Sequence, residues 1–157
     1  MHNARAIAPE RSISLEVRGN DAHTLEILGD RARLQQVLAN LVGNALMHTP
    51  PSASVTVRLA PRPDEVILEV IDAGPGLAPE DAERVFERFY RTDSSRNRRS
   101  GGTGLGLSIV SALIAAHGGA VGVRSTQGVG TTFTVTLPRG EDQLVKQCAG
   151  QSGTLAP

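Results

Sequence analysis

Residues 30–76 read DRARLQQVLANLVGNALMHTPPSASVTVRLAPRPDEVILEVIDAGPG, and this stretch decides the fold. Its first part predicts a helix, because Asp30 is a typical N-cap and apolar residues then recur at the i, i+3, i+4 and i+7 spacing of one helix face. Two consecutive prolines end that helix, and alternating runs at 54–59 and 65–71 predict a β-hairpin. The apolar helix face consists of Leu34, Val37, Leu38, Leu41 and Ala45.

Further strands and helices are predicted on both sides of this stretch. Alternating apolar and polar residues predict short strands at 12–18 and 24–28. The predicted elements downstream are a short helix at 80–86, a long helix at 104–116, and strands at 120–125 and 131–137. The order β-β-α-β-β-α-α-β-β lacks the βαβ alternation of a doubly wound parallel sheet. It predicts an α+β fold, built as a two-layer sandwich.

Length and composition indicate a single globular domain. A chain of 157 residues is long enough to bury roughly two-thirds of its surface on folding. Contents of 39% hydrophobic and 20% charged residues argue against a disordered chain. We expect a domain at 12–138 between an N-terminal tail at 1–11 and a flexible C-terminal tail at 139–157.

Charge, cysteine content and hydropathy remove several classes of function. The formal net charge is zero, which argues against nucleic acid or anionic lipid as a partner. One cysteine, Cys148, excludes an internal disulfide framework and cannot form a structural zinc site by itself. No apolar run reaches the roughly 18 residues of a membrane span, and no signal-peptide core is found. The expected location is therefore the cytoplasm, without direct membrane contact.

Asn40 and Asn44 form the first candidate motif, within the sequence LANLVGNA at 38–45. On a helix, their i, i+4 spacing places them about 40° apart, beside the apolar face. Their amide oxygens can hold a hydrated Mg²⁺ that also binds phosphate oxygens. Two solvent-facing asparagines produce the same pattern.

Asp72 begins the second motif, Asp-Ala-Gly-Pro-Gly at 72–76, directly after a predicted strand. A carboxylate there can accept a hydrogen bond from an exocyclic amine, while the glycines leave the backbone open to a planar ring. A Gly-Pro-Gly turn that begins with an aspartate is the alternative.

A glycine-rich stretch, GGTGLGL at 101–107, leads into the second long helix. Glycines let backbone N–H groups approach phosphates, and a helix N-terminus favours an anion. The stretch is neither a dinucleotide fingerprint, since no strand precedes it, nor a P-loop, since no Gly-Lys-Ser/Thr follows. A flexible loop that ends at a helix is the alternative.

The sequence FERFYR at 86–91 combines aromatic residues with arginines, and GVGT at 128–131 predicts a turn between two strands. The arginines can neutralise a polyphosphate. Core aromatics beside a solvated arginine face, or a short nucleic-acid-binding segment, are the alternatives.

Together and in this order, the motifs resemble those of the catalytic, ATP-binding domain of bacterial sensor histidine kinases, within the superfamily of gyrase, heat-shock chaperone and mismatch-repair ATPases. The resemblance covers about 12–138 and implies the Bergerat type of two-layer sandwich, in which about three helices cover one face of a mixed, mostly antiparallel sheet. The matching segments are 38–45 for the asparagine box, 72–76, 102–107 and 128–131 for the three glycine boxes, and 85–91 for the phenylalanine box.

The resemblance implies a site for ATP and Mg²⁺. Asn40 and Asn44 would be the catalytic, Mg²⁺-coordinating residues, Asp72 would receive the adenine amine, and a mobile lid would lie at about 92–101. Met47 stands where many members carry Lys or Arg, which removes one phosphate contact. The implied nucleotide-binding residues are Asn40, Asn44, His48, Asp72, Gly74, Gly76, Arg88, Arg91, Gly102, Thr103, Gly104, Leu105, Gly106, Leu107 and Thr131.

Asn40 also bears on the reaction. By the resemblance, ATP-hydrolysing relatives and anti-sigma serine kinases have a general-base glutamate at this position, whereas an asparagine cannot accept a proton at neutral pH. A histidine nitrogen brings its own lone pair. We therefore expect transfer of the γ-phosphoryl group to a histidine. An ATPase, an anti-sigma serine kinase and a non-catalytic nucleotide-binding regulator are the alternatives.

The four histidines of the chain are not followed by the Glu/Asp-x-x-Arg/Asn-x-Pro pattern of an acceptor site. The expected partner is a histidine phosphoacceptor and dimerisation domain, in the same parent chain or in a separate protein, and without it the chain is expected to be inactive. A response regulator would act indirectly, after the acceptor. A parent chain that contains both domains would be anchored in the inner membrane.

Overall fold

The computed structural model describes residues 11–19, 25–91 and 103–139. The predicted lid at 92–101, Gly102 and most of the two predicted tails lie outside the described residues. The elements are β1 (Ile13–Val17), α1 (Arg31–His48), β2 (Val55–Pro61), β3 (Glu65–Asp72), α2 (Pro79–Arg84), α3 (Gly106–Ala116), β4 (Ala120–Thr126) and β5 (Gly130–Pro138).

The five strands form one mixed sheet in the order β1-β2-β3-β5-β4. β1 is parallel to β2, because α1 connects them and returns the chain to the same end of the sheet. The other three neighbouring pairs are antiparallel. The predicted α+β fold with a mixed, mostly antiparallel sheet is therefore confirmed.

The predicted strand at 24–28 is wrong for residues 25–28, none of which belongs to a strand. Leu25 and Ile27 are partly buried while Glu26 and Leu28 are exposed, so the alternation in the sequence does record burial. Ile27 packs against the core from this coil segment. A strand also needs a hydrogen-bonded neighbour, which alternation alone does not reveal.

α1 and α3 pack against each other and cover one face of the sheet, and α2 contacts β4. In the predicted apolar face of α1, Val37, Leu41 and Ala45 are buried, whereas Leu34 and Leu38 pack at the edge of the core. Helices and strands thus share one hydrophobic core. Its other buried members are Val42, Val110, Ile114, Val55, Val57, Val70, Phe133, Val135 and Leu137.

The strand register aligns the inward-facing side chains of β2, β3, β5 and β4 in rows across the sheet. One of them, here called the apolar row, consists of Val57, Val70, Phe133 and Val123. The next row, two residues away on each strand and here called the polar row, consists of Val55, Asp72, Thr131 and Ser125.

The opposite face of the sheet is mostly polar. The Arg58 guanidinium donates to the carboxylates of Glu16 at 2.8 Å and Glu69 at 3.0 Å. These hydrogen bonds raise the pKa of Arg58. Within the described ranges, no helix combines the length and the apolar character that crossing a membrane requires.

Candidate functional site

A cavity of about 340 Å³ lies between α1, the start of α3 and the end of the sheet that carries the polar row. Its size is within the range of ordinary small-molecule sites. Most of the residues that the sequence proposes for nucleotide binding line it. These are Asn40, Asn44, His48, Asp72, Gly76, Arg91, Thr103, Gly104, Gly106, Leu107 and Thr131.

Three proposed residues do not line the cavity, and a fourth, Gly102, lies outside the described residues. Gly74 does not line the cavity, but its N–H donates to the carboxylate of Asp72, which does. Leu105 is the N-cap of α3 and its carbonyl accepts from Ser108 Oγ at 2.9 Å. Arg88 is exposed to solvent outside the cavity.

Asp72 is the last residue of β3 and places a carboxylate at the floor of the cavity, with 8% of its surface exposed. Burial raises the pKa of this carboxyl, and hydrogen bonds from the backbone N–H groups of Gly74 and Thr131 oppose the shift. The Gly74 N–H lies 2.9 Å from Asp72 Oδ1. The buried carboxyl can therefore accept a further hydrogen bond from a ligand amine.

Gly74 allows the floor to approach the end of α1. A Cβ at this position would lie 2.6 Å from Thr49 Cγ2 and 2.7 Å from Asp72 Oδ1. Both distances are shorter than non-bonded carbon contacts permit. A side chain at this position would displace the buried Thr49 or the Asp72 carboxylate, so glycine lets the two pack closely.

Asn40 and Asn44 are partly buried on the α1 wall of the cavity. Asn40 Nδ2 donates to the carbonyl oxygen of Gly106 at 3.3 Å, which joins α1 to the start of α3. This bond uses the amide nitrogen, so the amide oxygen of Asn40 is the atom that can accept from or coordinate a ligand.

The start of α3 forms the opposite wall. Gly106 and Leu107 begin the helix, where backbone N–H groups have no intrahelical acceptor and the helix dipole is positive. Gly104 has a φ of 73°, and a Cβ there would lie 3.0 Å from the backbone of Phe89. The Phe89 N–H also donates to the Gly104 carbonyl at 3.0 Å. This wall can accept an anionic group.

Tyr90 lines the cavity next to Arg91 and was not among the residues proposed from the sequence. Its hydroxyl donates to Asp81 Oδ1 at 2.5 Å, and the Arg84 guanidinium lies 4.4 Å from its ring centroid. The hydrogen bond to the carboxylate raises the pKa of Tyr90. The phenol is thus fixed by groups of α2.

The other lining residues that the site prediction missed divide into two groups. Those on α1 share a face with Asn40 and Asn44, so helical spacing from the two asparagines identifies them. The rest come from turns and from the apolar row. Pro75, Val85 and Tyr90 lie within the motifs at 72–76 and 85–91, whereas no local pattern indicates Leu77 and Phe133. The missed residues are Ala39, Gly43, Met47, Pro75, Leu77, Val85, Tyr90 and Phe133.

Comparison with known proteins agrees with this architecture. Residues 29–141 match the family described as histidine kinase-, DNA gyrase B-, and HSP90-like ATPase. The chain is 46% identical over 124 residues to the sensor-like histidine kinase SenX3 of Mycobacterium tuberculosis, covering 79% of this chain and 30% of that protein. It is 53% identical over 112 residues to the probable sensor histidine kinase TcrY of the same species, covering 71% and 23%.

Among solved structures, the mycobacterial sensor histidine kinase MprB superposes with a TM-score of 0.75 at 32% identity, over 88% of this chain and 91% of that one. Full-length ShkA in complex with AMPPNP gives a TM-score of 0.71 at 36% identity, over 87% and 28%. The chain spans less than a third of the curated relatives named here. It belongs to the histidine kinase-, DNA gyrase B- and HSP90-like ATPase family, as a catalytic, ATP-binding domain of the bacterial sensor histidine kinase type.

Proposed function

We propose that this chain binds Mg-ATP in the cavity and transfers the γ-phosphoryl group to a histidine of a phosphoacceptor and dimerisation domain. One observation carries the proposal. A single cavity brings together the two asparagines of α1, the buried Asp72 and the N-terminus of α3. These groups are far apart in the sequence, and Mg-ATP offers a complementary amine, phosphate groups and a metal ion.

The adenine end is assigned to the floor of the cavity. Asp72 would accept the exocyclic amine, since an ionised carboxylate only accepts hydrogen bonds. Thr131 and Gly76 lie beside it in the lining. The phosphates would lie toward Thr103, Gly104 and the start of α3, where backbone N–H groups can donate. The solved complex of full-length ShkA with AMPPNP, an ATP analogue, supports this use of the fold.

The metal would be held at Asn40 and Asn44. Among the described residues, no group of three or more His, Cys, Asp and Glu side chains could form a metal site. Mg²⁺ keeps several waters and binds substrate phosphates with few protein ligands, so two amide oxygens fit an ion that arrives with ATP. When bound, Mg²⁺ neutralises charge on the phosphates during transfer.

The lining chemistry favours a histidine acceptor over water or serine. Within the described part of the lining, Asp72 is the sole carboxylate, and it is already assigned to the amine of the adenine ring. Asn40, which is bonded to Gly106, has no proton-accepting group. Water and serine need a base at the moment of attack, whereas a neutral imidazole nitrogen attacks with its own lone pair.

The chain's described histidines do not fit the acceptor role. His117 closes α3, with Nδ1 2.7 Å from the Leu113 carbonyl and Nε2 accepting from the Asp30 N–H at 3.1 Å. His48 is part of the cavity wall. We therefore assign the acceptor to another domain, of the same parent or of a separate protein, and we assign the reaction to the cytoplasm with a response regulator as the later recipient.

Labelled ATP tests this proposal. The chain is incubated with γ-labelled ATP and Mg²⁺, with and without an acceptor hairpin from a sensor histidine kinase. We expect acid-labile label on the acceptor histidine in the mixture alone. Rapid phosphate release by the chain alone would indicate hydrolysis, and nucleotide binding without transfer to any acceptor tried would indicate a regulator. Either result contradicts the proposal.

A pair of variants tests the role of Asn44. Asn44→Asp adds a negative charge to the cavity wall and changes metal coordination, so we expect transfer to fall by at least about tenfold. Gln35→Asp adds the same charge to an exposed position of α1 and is the matched control. Equal transfer rates in the two variants would remove Asn44 from the site.

A further inference from the structure

Arg11 closes the C-terminal end of α1 from outside the helix. Its Nη2 donates to the carbonyl oxygens of Leu46 at 2.8 Å and Thr49 at 2.7 Å, and its Nη1 donates to Thr49 Oγ1 at 2.6 Å. The residue lies just before β1, within the segment that the sequence assigns to the N-terminal tail. These contacts fix it to the domain.

The residues after α1 explain why a side chain closes this end. The last carbonyls of a helix have no intrahelical partner, and a Schellman cap supplies them with the N–H groups of the two residues after the C-cap. Thr49 is the C-cap of α1, and the next two residues are Pro50 and Pro51, which have no N–H. The Leu46 carbonyl, which such a backbone cap would bind, is bound by Arg11 instead.

The position also suits a cation. The C-terminal end of a helix carries a partial negative charge, and a guanidinium there is stabilised by the helix dipole. Hydrogen bonds from a charged donor are stronger than neutral ones. Thr49 adds a further link, since its Oγ1 donates to the Ala45 carbonyl at 2.7 Å while it accepts from Arg11.

The helix end that Arg11 holds forms part of the cavity. Asn44, Met47 and His48 line the cavity from the last turns of α1. Thr49 places its methyl group against Gly74, whose N–H donates to the Asp72 carboxylate. A shift of this helix end therefore moves the α1 wall and the floor together.

We propose that Arg11 is a positioning residue of the nucleotide site. It replaces the missing backbone cap of α1 and so holds the last turns of α1 and the Asp72 carboxylate in the arrangement that binds Mg-ATP. Arg11 does not line the cavity and acts through Leu46 and Thr49. This inference rests on the proposed function and adds a residue that controls the same site from its outer side.

Three variants test the proposal: Arg11→Ala, Arg11→Lys and, as the control, Arg18→Gln at an exposed position directly after β1. Affinity for Mg-ADP is measured by calorimetry at a temperature where circular dichroism finds every variant folded. We expect Arg11→Ala to weaken binding roughly tenfold, the scale of lost hydrogen bonds from a charged donor. Arg11→Lys, which keeps the charge without the fork, should weaken it less, and Arg18→Gln should leave it unchanged.

Hydrogen exchange without nucleotide provides a second readout. Removing the cap should speed exchange of the amides at 44–49 in Arg11→Ala and leave Arg18→Gln unaffected. A lower melting temperature with unchanged affinity would make Arg11 merely structural and overturn the proposal. If the unmodified chain binds no Mg-ADP, the proposed function fails by itself. In that case, unchanged hydrogen exchange in Arg11→Ala would also contradict the role of Arg11 as the C-terminal cap of α1.

Discussion

The apolar row and the polar row are neighbours on the same face of the same strands, about 7 Å apart, yet their chemistry is opposite. Both rows are closed off from solvent at their centres. Val70 and Phe133 are 0% and 1% exposed, and Asp72 and Thr131 are 8% and 7% exposed. Stabilisation of the domain by buried apolar surface accounts for the first pair, although Phe133 also borders the cavity. This stabilisation does not account for the second pair.

A carboxyl at the floor of a cavity is an unfavourable choice for stability. Burial raises the pKa of Asp72, which means that its ionised form is less stable in the folded chain than its solvated counterpart. Perturbed groups of this kind concentrate at functional sites. On β3 and β5, side chains of the core and polar side chains of the cavity floor therefore lie only two residues apart.

Phe133→Ala should have the largest effect on stability. The ring is buried in the apolar row and packs edge-on against Phe86, with centroids 6.2 Å apart. Truncation should lower the free energy of unfolding by about 3–5 kcal/mol, as measured by urea titration. Phe133→Leu is the milder companion if the alanine variant does not fold. An unchanged free energy in both would contradict the assignment of this row to stability.

Asp72→Asn should show the reverse behaviour. The amide keeps the shape but removes the charged acceptor, so affinity for Mg-ADP should fall roughly 10- to 100-fold. The free energy of unfolding should stay equal or rise, because a buried charge is removed. Calorimetry and urea titration on the same preparation check both expectations. A loss of stability as large as that of Phe133→Ala would erase the distinction between the rows.

Ser125→Ala tests the outer member of the polar row. Ser125 Oγ accepts from the Leu77 N–H at 2.7 Å and lies 2.9 Å from Thr131 Oγ1, so it joins two cavity-lining residues without lining the cavity itself. Loss of these neutral hydrogen bonds should weaken Mg-ADP binding about 2- to 10-fold. Thr134→Ala, on the opposite face of β5, is the control. Equal affinities in the two variants would remove Ser125 from the site.

Local patterns were sufficient for most of the elements and for part of the site. Helical periodicity predicts the buried side of α1, and the same spacing carries from Asn40 and Asn44 to Gly43 and Met47. The alternating pattern of a strand was insufficient at 25–28, where alternation reflects packing of a coil segment against the core. Burial and strand pairing are separate properties, and a single sequence records the first more directly.

Contacts between distant residues were beyond local patterns. Arg11 binds residues 35 and 38 positions away, and the two prolines after α1 mark the need for a cap without identifying the donor. Tyr90 enters the cavity because Asp81 and the turn between them direct its ring. The sequence contains many candidate donors and aromatic residues, whereas the packing of the sheet and helices selects among them.

The smallest expected effect is a pH dependence that belongs to Asp72 alone. The folded-state pKa of this carboxyl is raised above its ordinary value of 3.8, so the folded chain binds the proton more tightly than the unfolded chain does. The resulting stability is present at low pH and is lost as the pH rises through the folded pKa. Asp72→Asn has no titratable group at this position. Urea titrations from about pH 3 to about pH 7 should therefore find the variant gaining stability relative to the unmodified chain as the pH rises. A constant or shrinking difference would mean that folding does not raise the pKa of Asp72, which would contradict the unfavourable placement of a carboxyl in the polar row.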